Sequence, residues 1–519
     1  MADRDDELAQ ESPLGGEPVG DALATDDFVG VAETDDGDWS EPKQKLGARG
    51  VVVLSARVLA GAIGTAVAAA AILGATFVPL PSHTVEVPSE LVTPVSTSQQ
   101  RVCAGPLLRL GDDTGAGATQ ASSFGRPNVR SASNRDGVDA SALPTTENTL
   151  SVAPTLLSVP ASAKPVLFAG SQTQAAASGD IVGLAAADCP VGGADSWLVG
   201  GSTATGRTTL ITLSNPSGVS STVSLTTYSA QGVVVGTGTD GIVVPAGAQR
   251  IFSLAAFAPG IEAPVVHVES RGGPIVANLQ QTIVRTLEPG GVDIVGATTG
   301  PARDVTIPGV LLSNTAATFA RQAEAGSADL SSIVRLLVPG TTDAHAEITI
   351  VPQTAANSVE TTARLTLRAG LVTEVPLGSY PDGSYTIRVV TDQPVVAAAR
   401  TSTVGTGRAT DFAWYAGAAA QRGRSELAVA PGPAPLLSVA NATAKAATVT
   451  LTPAGGGTPI VVTVPANGSS VADVAPGATY SVVSSGRVAA SVSYLGDGQL
   501  ASFAASPPTP VSTPIRVYG

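Results

Sequence analysis

The chain has 519 residues and a formal net charge of −14, with 13% charged and 4% aromatic side chains, 3 histidines and 2 cysteines. At about 100–200 residues per domain, this length predicts roughly three to five domains. The sparse charge, the missing basic face and the scarcity of histidine and cysteine disfavour nucleic-acid binding, a dense disulfide framework and most metalloenzymes.

The amino-terminal residues 1–50 carry most of the net charge, which is concentrated in residues 1–41. Residues 1–41 hold fourteen acidic residues against one basic residue, Arg4, and so contribute −13 of the −14. A segment with this much charge and so few apolar residues cannot bury enough surface to offset its chain entropy. We therefore expect a disordered acidic tail on the cytoplasmic side of a membrane.

Residues 51–79 are predicted to form a transmembrane helix with a basic flank. The stretch Val58–Val78 has no charged residue, and as a helix it would span roughly 31 Å, the thickness of a bilayer's hydrocarbon core. Four basic residues precede it: Lys43, Lys45, Arg49 and Arg57. The positive-inside rule then places the amino terminus in the cytoplasm and the bulk of the chain outside the plasma membrane. A cleaved signal peptide is the alternative, although the region before the apolar stretch is much longer than the charged region that begins a signal peptide.

Both cysteines, Cys103 and Cys189, lie on the predicted outer side, within a membrane-proximal β/loop region at residues 80–190. An oxidising compartment and an even cysteine count favour a disulfide between them over two buried thiols. Trp197 follows Cys189 closely and is predicted to pack on the bridge.

Beyond the predicted helix the hydrophobic pattern has a period of two, which is typical of β-strands. A unit of two consecutive strands occurs three times in the sequence. Its copies are Val265–Val268 with Pro274–Ala277, Tyr385–Val389 with Pro394–Ala397, and Tyr480–Val483 with Arg487–Ala490. The spacing of the copies is close to the length of an immunoglobulin-like sandwich, about 100 residues. The predicted fold is therefore mainly β, with tandem immunoglobulin-like antiparallel β-sandwiches after one amino-terminal transmembrane helix.

The three sandwiches are placed at residues 191–300, 301–422 and 423–519. The four prolines near the carboxyl terminus indicate an extended finish, with Ile515–Tyr518 as a last edge strand.

These features resemble an actinobacterial cell-envelope family of single-pass membrane proteins, domain of unknown function 5719. The resemblance rests on the acidic start, the single span, the motif Cys103-Ala104-Gly105-Pro106, and strand units that end as Pro394–Ala397 does. It implies an anchored, extracytoplasmic, β-rich protein and supplies no catalytic residues.

Motifs for catalysis, metals and cofactors are weak. Residues 236–241 match the dinucleotide pattern G-x-G-x-x-G, but a strand follows where the nucleotide site needs a helix. The histidines His83, His267 and His345 lie far apart in the sequence and are interpreted as surface or strand residues. We therefore expect no enzyme activity, no metal site and no cofactor.

Trp414 and Tyr415 concentrate aromatic side chains in an aromatic-poor chain. Buried, they would fill a sandwich core, and exposed, they could stack on sugar rings. The sequence thus predicts a non-catalytic envelope scaffold or partner-binding module. The alternative is a cell-wall polysaccharide-binding module. The expected partners are the lipid bilayer through Val58–Val78 and either envelope proteins or wall polysaccharide, with no nucleic acid.

Overall fold

The computed structural model describes most of the chain after residue 88. The described residues are 59–70, 89–92, 98–111, 120–146, 150–162, 166–353, 361–508 and 515–518. The chain divides into two compact units, Met1–Pro88 and Ser89–Gly519.

In the first unit, residues 59–70 form helix α1. The Thr65 hydroxyl donates to the Gly61 carbonyl oxygen at 2.7 Å. No helix among the described residues has both the length and the apolar character needed to cross a membrane. The acidic tail and the rest of the predicted span, Val58 and residues 71–78, lie outside the described residues.

The second unit is built from antiparallel strands, which confirms the predicted mainly β class. Its strands form four successive groups, which we call repeats A to D, and one pair of terminal strands. Repeat A contains β2 (Gln99–Val102), β3 (Leu107–Leu110), β4 (Ala121–Phe124), β5 (Asn128–Ser133), β6 (Asp139–Ala142), β7 (Thr155–Val159), β8 (Phe168–Ser178) and β9 (Ile181–Asp188). Repeat B contains β10 (Asp195–Val199), β11 (Arg207–Asn215), β12 (Ser221–Ser229), β13 (Gly232–Val234), β14 (Ile242–Val244), β15 (Ala248–Ser253), β16 (Val265–Arg271), β17 (Val276–Arg285) and β18 (Glu288–Val295).

Repeats C and D continue the series. Repeat C contains β19 (Ala302–Leu312), helix α2 (Thr315–Gln322), β20 (Ile333–Leu337), β21 (Ala344–Pro352), β22 (Thr361–Leu367), β23 (Val372–Pro376), β24 (Gly383–Val404) and β25 (Thr410–Ala416). Repeat D contains β26 (Gln421–Ala428), β27 (Leu436–Asn441), β28 (Ala447–Pro453), β29 (Ile460–Val464), β30 (Gly468–Asp473), β31 (Thr479–Gly496) and β32 (Gln499–Ala504). The terminal pair is β1 (Ser89–Val92) with β33 (Ile515–Tyr518), and short 3-10 turns occur at Leu254–Ala256, Ala328–Leu330 and Thr406–Arg408.

The strand patterns follow from alternating residues. In β12 the side chains of Val223 and Leu225 are buried in the core. The side chain of Thr222, which immediately precedes Val223, is exposed. Successive side chains on a strand point to opposite faces, so the apolar set fills the space between two sheets.

Repeats B, C and D share one strand order. In repeat B one sheet runs β10-β16-β12-β13 and the other β15-β11-β17-β18. The corresponding sheets are β19-β24-β21-β22 and β23-β20-β24-β25 in repeat C, and β26-β31-β28-β29 and β30-β27-β31-β32 in repeat D. The internal repeat seen in the sequence is thus a repeat of topology as well.

Of the three copies found in the sequence, repeat B is the one in which the two consecutive strands are separate. There, β16 and β17 belong to different sheets, and Gly272 and Gly273 lie between them. In repeat C both strands are halves of the 22-residue β24, which passes from one sheet into the other near Pro394. The 18-residue β31 does the same in repeat D, so each of these repeats has one continuous, barrel-like sheet.

Repeat A is a reduced copy of the same unit. Among the described residues, its sheets run β2-β7-β6 and β5-β8-β9, which is the common order without two of its strands. The hairpin β3-β4 is inserted after its first strand. This fourth copy was not predicted from the sequence, because its short strands and its serine- and glycine-rich turns obscure the periodicity.

The last strands of the four repeats meet at the centre of the unit. Each is the edge strand of its sheet: β9, β18, β25 and β32. We call these the central strands. β9 packs against β18, β18 against β25, β25 against β32, and β32 against β9. The four repeats therefore close into a ring, with repeat D against repeat A.

Candidate functional site

The disulfide Cys103–Cys189 is present, as the sequence predicted. It joins the loop after β2 to the end of central strand β9, and both cysteines are fully buried. Its apolar neighbours include Leu157 and Phe168. Trp197 does not pack in this cluster, because the pairing of β10 with β16 sets it opposite His267, on whose ring it stacks at 3.9 Å between centroids.

Trp414 and Tyr415 lie on central strand β25 and are only 2% and 1% exposed. The Trp414 indole Nε1 donates to Gln281 Oε1 at 2.8 Å, and the Arg335 guanidinium lies 4.5 Å from the ring centroid. Thr401 donates its hydroxyl to the Tyr415 oxygen, and burial raises the pKa of Tyr415. Trp414 belongs to the core that repeats B and C share. Tyr415 belongs to the core of repeat C.

Asp411 is the point at which all four repeats are joined. It lies on β25, is fully buried, and its carboxylate oxygens accept hydrogen bonds from backbone N–H groups of the other three central strands. The donors are Leu184 in β9 at 2.8 Å, Val292 in β18 at 3.2 Å, and Leu500 in β32 at 3.0 Å. One side chain thus satisfies backbone donors from three distant parts of the chain.

Two glycines make room for this carboxylate. Gly183 in β9 and Gly291 in β18 have φ values of +127° and +119°, a region that L side chains rarely adopt. A Cβ at Gly291 would lie 2.7 Å from Asp411 Oδ1, and a Cβ at Gly183 would collide with the same carboxylate. Glycine at both positions lets the central strands approach Asp411 closely.

Asp293 on β18 is a second fully buried carboxyl beside the first. Its Oδ2 accepts the Trp414 backbone N–H at 2.7 Å, and its Oδ1 has no hydrogen-bond partner among the described residues. Burial raises the pKa of Asp293 and of Asp411 well above the usual aspartate range, and the negative charge of Asp411 raises that of Asp293 further. The backbone donors oppose this rise in both.

A cavity of about 220 Å³ opens at the carboxyl ends of the four central strands. Its wall includes apolar side chains such as Ile294, Trp414 and Phe503. Two of its polar atoms, Asn278 Nδ2 and Asp188 Oδ2, are buried and have no hydrogen-bond partner among the described residues. The wall of the cavity is thus mainly apolar, as the walls of small-molecule pockets are.

The Asp188 carboxyl sits beside the buried guanidinium of Arg101. Burial raises the pKa of Asp188, and the positive charge of Arg101 opposes that shift. Arg101 also donates to the carbonyl oxygens of Cys189 at 3.2 Å and Pro507 at 3.3 Å. This arginine therefore ties the start of repeat A to the residues that follow β32, next to the cavity.

Neither the two buried aspartates, Asp293 and Asp411, nor the cavity was predicted from the sequence. A weak signal existed, since each aspartate interrupts an apolar strand in a chain with few charged residues. The convergence itself depends on strands separated by hundreds of residues, and no local pattern encodes it.

The model of a protein family described as a family of unknown function (DUF5719) matches residues 144–477. This range contains all of repeats B and C and parts of A and D. No curated protein matches the chain.

Proposed function

We propose a function from the premise that this chain belongs to the family of unknown function DUF5719: it is a non-catalytic scaffold or partner-binding protein. In this proposal it is anchored in the plasma membrane, with repeats A to D outside the cytoplasm. The observation that carries the proposal is the closed ring of four repeats around Asp411. Such a ring is held rigidly at its centre and presents the outer sheets of its repeats to other molecules.

Each repeat is proposed to be an immunoglobulin-like sandwich. In support, repeat B has two antiparallel sheets that contribute to one core, and in repeats C and D the same strand order runs through one sheet that is continuous along β24 or β31. Folds of this kind host many functions, most often in binding and cell-surface architecture, so the fold supports the proposal without specifying a partner.

The proposed location rests on the sequence of the amino-terminal region and on the cysteine pair. The apolar stretch Val58–Val78 follows a basic flank, which favours a cytoplasmic amino terminus. The pairing of Cys103 with Cys189 is what an oxidising compartment permits.

Proteolysis of intact cells tests the location. We expect an added protease to degrade repeats A to D in whole cells and to leave residues 1–50 protected until lysis. A chain whose repeats are cut only after lysis would contradict the proposal.

Site-specific photocrosslinking in the same cells tests the binding role. Val235 and Leu287 are 96% and 89% exposed apolar side chains on repeat B, and a crosslinking amino acid at either position would not disturb the core. We expect discrete crosslinked protein partners. If crosslinks to protein are absent and the purified chain sediments with isolated wall polysaccharide, the scaffold proposal is wrong and the polysaccharide alternative is supported.

A further inference from the structure

Strands β10 and β16 bring three metal-binding side chains together on the outer sheet of repeat B. Their antiparallel register pairs Asp195 with Glu269, and the next position on the same face holds His267. Val266 and Val268, which alternate with these residues on β16, are buried in the core. The three polar side chains therefore share the face that points away from the core.

The distances between the three side chains suit a common cation. His267 Nε2 lies 2.7 Å from Asp195 Oδ2, and His267 Nδ1 lies 3.9 Å from Glu269 Oε2. Each of the three residues offers one ligand atom, and these three atoms lie within 4.8 Å of one another. Zinc–ligand bonds of about 2.0–2.2 Å need ligand atoms roughly 3–3.5 Å apart. Binding therefore requires the carboxylates of Asp195 and Glu269, whose side chains are exposed, to rotate toward the ion.

The charge arrangement also favours a cation. Asp195 and Glu269 are directly opposite each other on neighbouring strands, and like charges in that position destabilise a sheet. The electrostatic repulsion is relieved when a divalent ion lies between them.

The imidazole is held in place before any ion arrives. The His267 side chain is 14% exposed, and its ring stacks on Trp197 at 3.9 Å with an angle of 10° between the planes. Tyr228 also contacts Trp197, with its ring centroid 5.9 Å from that of Trp197. A fixed imidazole lowers the entropy cost of coordination.

We propose that Asp195, His267 and Glu269 form a surface site for Zn²⁺. One imidazole nitrogen and two carboxylates are ligands that zinc accepts, and water completes the coordination of an ion bound at a surface. To bind the ion, His267 must give up its hydrogen bond to Asp195 and present a nitrogen lone pair. The site lies on the outer sheet of repeat B and does not depend on the central cavity or on the proposed scaffold function.

The test is a titration of the full chain with ZnCl₂, using protein prepared without a histidine tag. Calorimetry is expected to show one ion per chain, and the fluorescence of Trp197 is expected to change with the same midpoint, because its ring contacts the ligand. His267→Gln is expected to weaken binding at least tenfold, and Asp195→Asn to weaken it measurably.

His345→Gln is the matched control. His345 Nδ1 lies 2.8 Å from Asp392 Oδ2 on the surface of repeat C, so it forms a similar histidine–carboxylate pair. We expect this variant to bind Zn²⁺ as the unchanged protein does. Absence of binding, or binding that His267→Gln leaves unaltered in a folded protein, would overturn the proposal.

Discussion

Asp411 shows how one buried side chain can hold together segments that are remote in sequence. A buried backbone N–H without a partner costs free energy, and in this protein the carboxylate removes that cost for one amide in each of three strands. The position of this residue, at the meeting point of four repeats, makes it the most consequential single polar residue of the fold.

Replacing Asp411 by alanine is expected to lower the free energy of unfolding by about 3 kcal/mol or more, because three buried N–H groups lose their acceptor. Urea denaturation followed by circular dichroism measures the change. Asp304→Ala is the control, since Asp304 forms a partly exposed ion pair with Arg388 at 2.6 Å. Such pairs contribute about 0–1 kcal/mol. Equal losses in both variants would show that Asp411 has no special role.

The buried carboxyl of Asp293 predicts a pH dependence of stability. Folding raises its pKa, so the folded protein keeps a proton that the unfolded chain releases above about pH 4. The stability that this group contributes is fully present below the unfolded pKa and is lost as the pH rises through the folded pKa. Asp411 acts in the same direction.

Asp293→Asn replaces the carboxyl by an amide that does not titrate and can still accept the Trp414 N–H through its oxygen. We expect the variant to lose less stability than the unchanged protein as the pH rises above about 4, with the two alike at the acidic end. Urea denaturation at several pH values measures the slopes. Identical slopes would mean that Asp293 is ionised in the folded state.

At the level of elements, the sequence predicted the strands better than their connections. Period-two patterns located β16 and the halves of β24, because a half-buried strand leaves its pattern in the residues themselves. The same pattern does not reveal that β24 continues unbroken through Pro394, since both a turn and a bend give a short interruption. It also did not reveal that β25 is a central strand, because that role is set by neighbours from three other repeats.

The close approach of the central strands predicts a strong effect of a single methyl group. Gly183→Ala places a Cβ against Asp411 at a positive φ, and we expect a loss of about 2–4 kcal/mol. Gly218→Ala, at a loop position with nothing within 4 Å of the added Cβ, is the control and should change stability by less than about 1 kcal/mol. A tolerated Gly183→Ala would mean that β9 lies farther from Asp411.

The disulfide closes a loop of 86 residues around repeat A. In the chain-entropy model such a crosslink stabilises by about 4–5 kcal/mol. The double variant Cys103→Ser, Cys189→Ser should therefore unfold at a lower urea concentration than the oxidised protein. Addition of reductant should lower the midpoint of the unchanged protein and leave that of the variant where it is. A midpoint that is the same in all samples would contradict a structural role for the bond.

The spatial arrangement of the four repeats is the feature of the fold that the sequence did not predict. Internal similarity revealed three copies of the unit, but it carried no information on their spatial order. The structure adds a fourth, reduced copy and closes the ring by packing β32 on β9. Trp414 and Tyr415 stand out in the sequence because the chain has few aromatic residues. Trp414 is buried in the core that repeats B and C share and Tyr415 in the core of repeat C, and composition does not encode this packing.

Hydrogen exchange at three amides tests whether the four repeats meet at Asp411. Leu184, Val292 and Leu500 donate to one carboxylate from three different repeats. We predict that all three amides exchange only through global unfolding, with one common free energy that equals the value from urea denaturation. If one of them exchanges at the rate of an exposed amide, or if the three report separate free energies, the repeats do not share a centre.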